Sequence, residues 1–69
     1  MKVFLQSRVN QAYLAPYGQW TWVREAARAF ASTALAREAC VSAKLTDMQL
    51  VISYSEGDSP YDIRVGIEN

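Results

Sequence analysis

The stretch from Ser32 to Tyr54 decides the fold and reads STALAREACVSAKLTDMQLVISY. Its first half begins with a helix-capping hydroxyl, Ser32 or Thr33, and continues in strong helix formers without glycine or proline. Apolar residues recur there at helical spacing: Leu35, Ala36, Ala39, Cys40 and Ala43. This pattern predicts one main helix over approximately 33–44, whose small alanine side chains would let it approach a sheet closely.

The second half of the stretch alternates with a period of two residues. Apolar side chains stand at Met48, Leu50, Ile52 and Tyr54, and the alternation returns further on at Tyr61, Ile63, Val65 and Ile67. Such alternation indicates strands with one buried face. Residues 55–60 between them are polar and rich in turn formers, so we predict a closing hairpin.

The N-terminal third predicts a second hairpin. The segment from Val3 to Arg8 has strand length, residues 9–11 interrupt it, and residues 12–15 resume an extended pattern before Pro16. Residues 22–31 allow two interpretations: one helix, or a helical turn ending near Ala27 followed by a short strand. We favour the turn, because Ser32 begins another helix at once.

Together these segments predict an α+β fold with two layers. We expect an antiparallel sheet of four to five short strands with the main helix on one face. The order along the chain is β-β-(turn or β)-α-β-β. Sixty-nine residues make a single small domain, 1–69.

Composition narrows the functional classes. The chain has seven basic and seven acidic residues, one cysteine and no histidine. One cysteine cannot form an intramolecular disulfide, and the absence of histidine removes the commonest general base and transition-metal ligand. We therefore expect no cofactor, no metal and no enzymatic activity. No apolar run approaches the length of a membrane span, and a lone thiol without an export signal predicts a cytoplasmic protein.

The sequence resembles a set of small bacterial proteins of unassigned function. The matching residues are Trp20-Thr21, then Ala27, Phe30 and Ser32 in an Ala-x-x-Phe-x-Ser pattern, and the alanine-rich helix from Ala34. The resemblance spans nearly the whole chain. It implies a fold and transfers no activity or site residue.

Two groups of residues have reactive or metal-binding side chains but lack the surroundings that such a site needs. Cys40 falls on the apolar stripe of the helix with no histidine to activate it, so we interpret it as a core residue. Glu56, Asp58 and Asp62 surround one loop, but their spacing is not that of a calcium loop. A solvated hairpin turn explains those acids equally well.

The arginines suggest one possible binding patch. Arg24 and Arg28 are four residues apart, and with Arg37 they could bind an anion or nucleic acid. Because acidic and basic residues cancel, this reading is the alternative function: a single-stranded nucleic-acid-binding domain that uses arginine and aromatic side chains.

The aromatic residues suggest a protein interface. Tyr13, Tyr17, Trp20 and Trp22 fall within ten residues, and one helix is too narrow to cover four or five strands. Tyrosine and tryptophan are enriched at interfaces. We therefore expect a small protein-protein interaction module, self-associating as a homodimer or binding another protein. We also expect one tryptophan in the core, with the other and Tyr17 more exposed.

Overall fold

The computed structural model describes residues 1–54 and 62–67, which form an antiparallel sheet and one α-helix. The strands are β1 (Lys2–Ser7), β2 (Tyr13–Leu14), β3 (Trp20–Thr21), β4 (Met48–Ser53) and β5 (Ile63–Gly66), and the helix is α1 (Thr33–Ser42). Short 3₁₀ turns occupy Pro16–Gly18 and Arg24–Ala26. The predicted α+β class is confirmed.

The strands lie in the order β3-β2-β1-β4-β5, and every neighbouring pair is antiparallel. β1 and β4 form the centre, with Leu5 opposite Leu50. β3 is an addition to the predicted order, because Trp20-Thr21 pairs with β2 and forms one edge of the sheet. The loop at 55–60 and Tyr61 lie outside the described residues.

Local capping explains the limits of α1. The hydroxyl of Ser32 accepts a hydrogen bond from the backbone N–H of Leu35 at 3.2 Å. At the other end Lys44 takes a left-handed conformation with φ 54°. The N–H groups of Lys44 and Leu45 then donate to the carbonyl oxygens of Val41 and Cys40, which is the Schellman pattern. The helix is therefore shorter than the predicted 33–44.

The main core lies between α1 and the sheet. We call the sheet face that α1 covers the helix side and the opposite face the far side. The buried residues of this core are Val3, Leu5, Leu14, Phe30, Ala36, Cys40, Met48, Leu50 and Ile67. The buried stripe of α1 is narrower than predicted, because Leu35 is half-exposed and Ala43 is exposed.

The segment before α1 confirms the favoured interpretation of residues 22–31. The turn Arg24–Ala26 is followed by an extended stretch in which Phe30 and Val3 exchange both backbone hydrogen bonds, at 2.7 and 3.1 Å. This stretch lets Phe30 join the core. Among the described residues no helix is both long and apolar enough to cross a bilayer.

The sheet also buries side chains on its far side, which the prediction of a single buried face missed. Phe4, Tyr13 and Val51 form a second, smaller cluster there, with Ala27 against it. The cluster exists because the chain around Arg24–Ala26 folds over this face. At the end of β4, Tyr54 is exposed rather than buried, since the alternation continues beyond the part of the strand that the core covers.

Candidate interaction surfaces

A buried ion pair organises the far side of the sheet. Nη2 of Arg24 lies 2.7 Å from Oδ2 of Asp62, and their side chains are 7 % and 1 % exposed. Arg24 also donates to the Tyr13 hydroxyl at 3.0 Å and the Ser53 hydroxyl at 3.5 Å. The turn that carries Arg24 is thereby tied to β2, to β4 and to the residue before β5.

Aromatic rings surround the same guanidinium. Its central carbon lies 5.4 Å from the ring centre of Phe4 and 5.6 Å from that of Tyr13. Burial alone would lower the pKa of Arg24, but the hydrogen bonds with Asp62 and Tyr13 outweigh it and raise the pKa above its ordinary value. Arg24 is therefore a fixed charge within the fold.

These contacts remove two of the predicted surface residues. Tyr13 is 5 % exposed and packs edge-on against Phe4, so it does not belong to an exposed aromatic surface. Arg24 does not belong to an exposed basic patch, because its guanidinium is buried in the ion pair. Both side chains contribute to packing and to the buried ion pair rather than to an exposed binding surface.

The remaining aromatic residues line the β3 end of the sheet. Tyr17 lies in the turn between β2 and β3, Trp20 lies in β3, and Trp22 follows it. Their exposed fractions are 99 %, 44 % and 68 %. We call these three residues the aromatic edge. The prediction that one tryptophan fills the core is wrong, since both are substantially exposed and neither belongs to a core cluster of the described residues.

The backbone of the aromatic edge is held in unusual geometry. Tyr17 has φ 63° and ψ 28°, a left-handed conformation that is uncommon for a bulky residue. Trp22 is fixed at the other end, because its indole N–H donates to the carbonyl oxygen of Asn10 at 3.0 Å. The β2–β3 hairpin therefore holds the exposed rings in defined positions. The backbone of Tyr17 adopts a conformation that costs free energy.

Exposed aliphatic side chains line the opposite end of the sheet. Ile63 and Val65 lie on the helix side of β5, directly opposite Ile52 and Leu50 of β4. They are 46 % and 36 % exposed, since α1 packs on β1 and β4. We call Ile63 and Val65 the aliphatic edge. The alternation of the sequence predicts a buried face for both residues. It gives no sign that β5 is an edge strand of the sheet.

The other predicted arginines do not form one patch with Arg24. Arg28 and Arg37 are exposed, and the guanidinium carbon of Arg28 lies 4.7 Å from the ring centre of Phe30. Arg24 stands on the far side, whereas Phe30 belongs to the helix-side core. The geometry therefore gives the nucleic-acid alternative no specific support.

Cys40 occupies the position predicted for it. It lies on the buried face of α1, and its thiol donates to the carbonyl oxygen of Leu45 at 3.7 Å. Burial raises the pKa of this thiol, which keeps it protonated and unreactive. Of the acidic loop residues, Asp62 forms the buried ion pair with Arg24. Glu56 and Asp58 lie outside the described residues. Within the described part of the chain, no group of three potential metal ligands is present.

Comparison with known proteins found no matching family model, no matching curated protein and no matching solved structure.

Proposed function

We propose that this chain is a small protein-protein interaction module that associates with itself. The observation that carries the proposal is the mismatch between sheet and helix. Among the described residues α1 packs mainly on β1 and β4, and apolar side chains are left exposed at both ends of the sheet. The aromatic edge lies at one end and the aliphatic edge at the other.

The size of the exposed side chains supports this reading. Single exposed apolar residues are ordinary, but here three exposed aromatic residues lie within residues 17–22. Tyr17 and Trp22 present large rings with few rotatable bonds, a property that favours their use at interfaces. For a chain of 69 residues, which buries a smaller share of its surface than larger domains do, a second copy also supplies additional core area.

The strained turn adds independent support. Folding places Tyr17 in a left-handed conformation although its ring contacts solvent on nearly every side. The turn thereby holds the Tyr17 ring in solvent at a defined position, where another surface can contact it. We therefore assign the aromatic edge to recognition of a protein surface, and we retain the cytoplasmic setting as part of the proposal.

Sedimentation velocity at two widely separated protein concentrations tests the proposal. We expect the sedimentation coefficient to rise with concentration towards that of a dimer. A chain that sediments as a monomer throughout contradicts self-association. Repeating the measurement with a single-stranded oligonucleotide at low and high salt tests the alternative, because binding through phosphates weakens steeply as salt is added.

A further inference from the structure

Within the part of the chain that the structure describes, β5 is an edge strand, and one side of its backbone pairs with no other strand. The N–H of Ile67 donates to the carbonyl oxygen of Met48 at 3.1 Å. Bond directions alternate along an antiparallel pair, so Ile63 and Val65 also bond towards β4. Arg64 and Gly66 consequently direct their N–H and C=O groups away from the sheet, where another strand could pair with them.

The side chains of β5 alternate between the two faces of the sheet. Ile63 and Val65 lie on the helix side, and Arg64 and Gly66 lie on the far side. An approaching strand must therefore bring apolar residues to the helix side and leave room for arginine on the far side. The sequence of β5 itself meets both requirements when the strand runs in the opposite direction.

We propose that β5 pairs antiparallel with β5 of a second copy, about a twofold axis at Val65. The inference rests on the proposed self-association and specifies its interface. In this register Val65 faces Val65, Ile63 faces Ile67 of the second copy, and Arg64 faces Gly66. Each Arg64–Gly66 pair exchanges both backbone hydrogen bonds, and the apolar residues of the two strands meet on the helix side.

Symmetry limits the possible registers, and charge favours this one over a register centred on Arg64. Twofold antiparallel pairing keeps equivalent faces together and must centre on a residue. Centring on Arg64 would place two guanidinium groups directly opposite each other, which is destabilising. Centring on Val65 places each arginine beside a glycine instead. The nearest like charge is then Arg8, whose Nη1 lies 3.5 Å from where a Cβ of Gly66 would be. Arg8 and Arg64 are both exposed, so solvent and salt screen that approach.

The proposed dimer leaves the aromatic edges free. β3 is at the other end of the sheet from β5, so the two aromatic edges would lie at opposite ends of one continuous sheet. Such a dimer presents two copies of the recognition surface and can bind a paired partner more tightly than one copy does.

Disulfide crosslinking of the full chain tests the register. In the Val65-centred pair the two Val65 Cα atoms lie about 4.5 Å apart, inside the disulfide range of roughly 4.4–6.8 Å. The two Arg64 Cα atoms lie roughly 8–9 Å apart, outside it. We expect Val65→Cys to form a covalent dimer under mild oxidation at least about tenfold faster than Arg64→Cys. Buried Cys40 is present in both variants and in the wild type. The wild type therefore measures any crosslinking through Cys40 itself.

A second pair of variants covers the case in which a cysteine variant fails to fold. Ile63→Lys and Val23→Lys each replace an exposed aliphatic residue, 46 % and 56 % exposed, and Val23 follows β3 at the other end of the sheet. We expect Ile63→Lys to weaken the dimer by about tenfold or more and Val23→Lys to leave it unchanged.

The outcomes separate this inference from the proposed function. A dimer that crosslinks faster through Arg64→Cys, or through neither variant, overturns the Val65 register while self-association stands. A dimer weakened by Val23→Lys and not by Ile63→Lys overturns it in the same way. A wild-type chain that is monomeric at all concentrations overturns the proposed function as well.

Discussion

At the scale of single residues, the ion pair between Arg24 and Asp62 is the contact on which most of the far side depends. Both side chains are almost fully buried, and removing one partner would leave the other charge in a poorly solvated place. We expect Arg24→Met to lower the free energy of unfolding by about 3–5 kcal/mol. Urea denaturation at neutral pH measures this change.

The double variant shows whether pairing or charge burial dominates. Replacing both residues, as Arg24→Met with Asp62→Leu, removes the uncompensated charge, so we expect a smaller loss than for Arg24→Met alone. Arg28→Met is the matched control, because Arg28 is exposed over the ring of Phe30 and its loss costs about 0.5–1 kcal/mol. Equal losses for Arg24→Met and Arg28→Met would show that the ion pair does not hold the fold.

Cys40 predicts a specific dependence on pH. Burial raises the pKa of its thiol above the ordinary 9.0 in the folded chain, whereas the unfolded chain ionises near that ordinary value. Stability from this group is therefore present below the ordinary pKa and is lost as pH rises above it. We expect the urea midpoint to fall more steeply with alkaline pH in the wild type than in Cys40→Ala.

A thiol reagent provides the independent check on Cys40. Because the side chain is fully buried, labelling of the native chain should follow the rate of opening rather than the rate of the chemical step. Labelling as fast as that of a free cysteine peptide, together with identical pH profiles for the wild type and Cys40→Ala, would contradict the buried neutral thiol.

At the scale of elements, the C-terminus of α1 contains the clearest correctable strain. Lys44 has φ 54° in the Schellman pattern, at a position where glycine adopts the left-handed conformation without steric cost. We expect Lys44→Gly to raise the free energy of unfolding by up to about 1 kcal/mol. Thermal and urea denaturation measure the gain.

The neighbouring residue supplies the control for that substitution. Ala43 has φ −88°, which any residue adopts, so Ala43→Gly should bring no gain and should lose some stability through added freedom of the unfolded chain. If Lys44→Gly is less stable than the wild type, then the side chain of Lys44 contributes more at this helix end than the left-handed backbone costs.

The elements also show what the sequence could predict. The capping hydroxyl of Ser32 and the alternation from Met48 to Ile52 are local signals, and both predicted their elements. β3 was missed because two residues, Trp20 and Thr21, carry no periodicity. The helix end was placed too late, since nothing in the type of Lys44 indicates a left-handed conformation.

At the scale of the whole molecule, the sequence predicted that one helix would leave part of the sheet uncovered, but not which part. Alternation indicates that Ile63 and Val65 share a face with Ile67, and it says nothing about how far α1 extends across the strands. The same limit applies to Tyr13 and Trp22. Only the three-dimensional order of the strands decides that Tyr13 is buried beside Arg24 while Trp22 remains at the surface.

Tryptophan emission tests the arrangement of the molecule as a whole. Trp20 and Trp22 are both substantially exposed and lie at the end of the sheet opposite β5. We therefore expect long-wavelength emission that acrylamide quenches readily. A dimer formed through β5 leaves both indoles in contact with water, so the quenching constant should stay the same when the protein is diluted from dimer to monomer.

Single-tryptophan variants assign the signal to each ring. Trp20→Phe leaves only Trp22, which should be the more strongly quenched because its exposed fraction is larger. Trp22→Phe leaves only Trp20 and also removes the hydrogen bond to Asn10. If either indole becomes shielded as the dimer forms, the two copies meet at the aromatic edge. Association would then bury the surface that we assign to a second protein, leaving the aliphatic edge of β5 exposed.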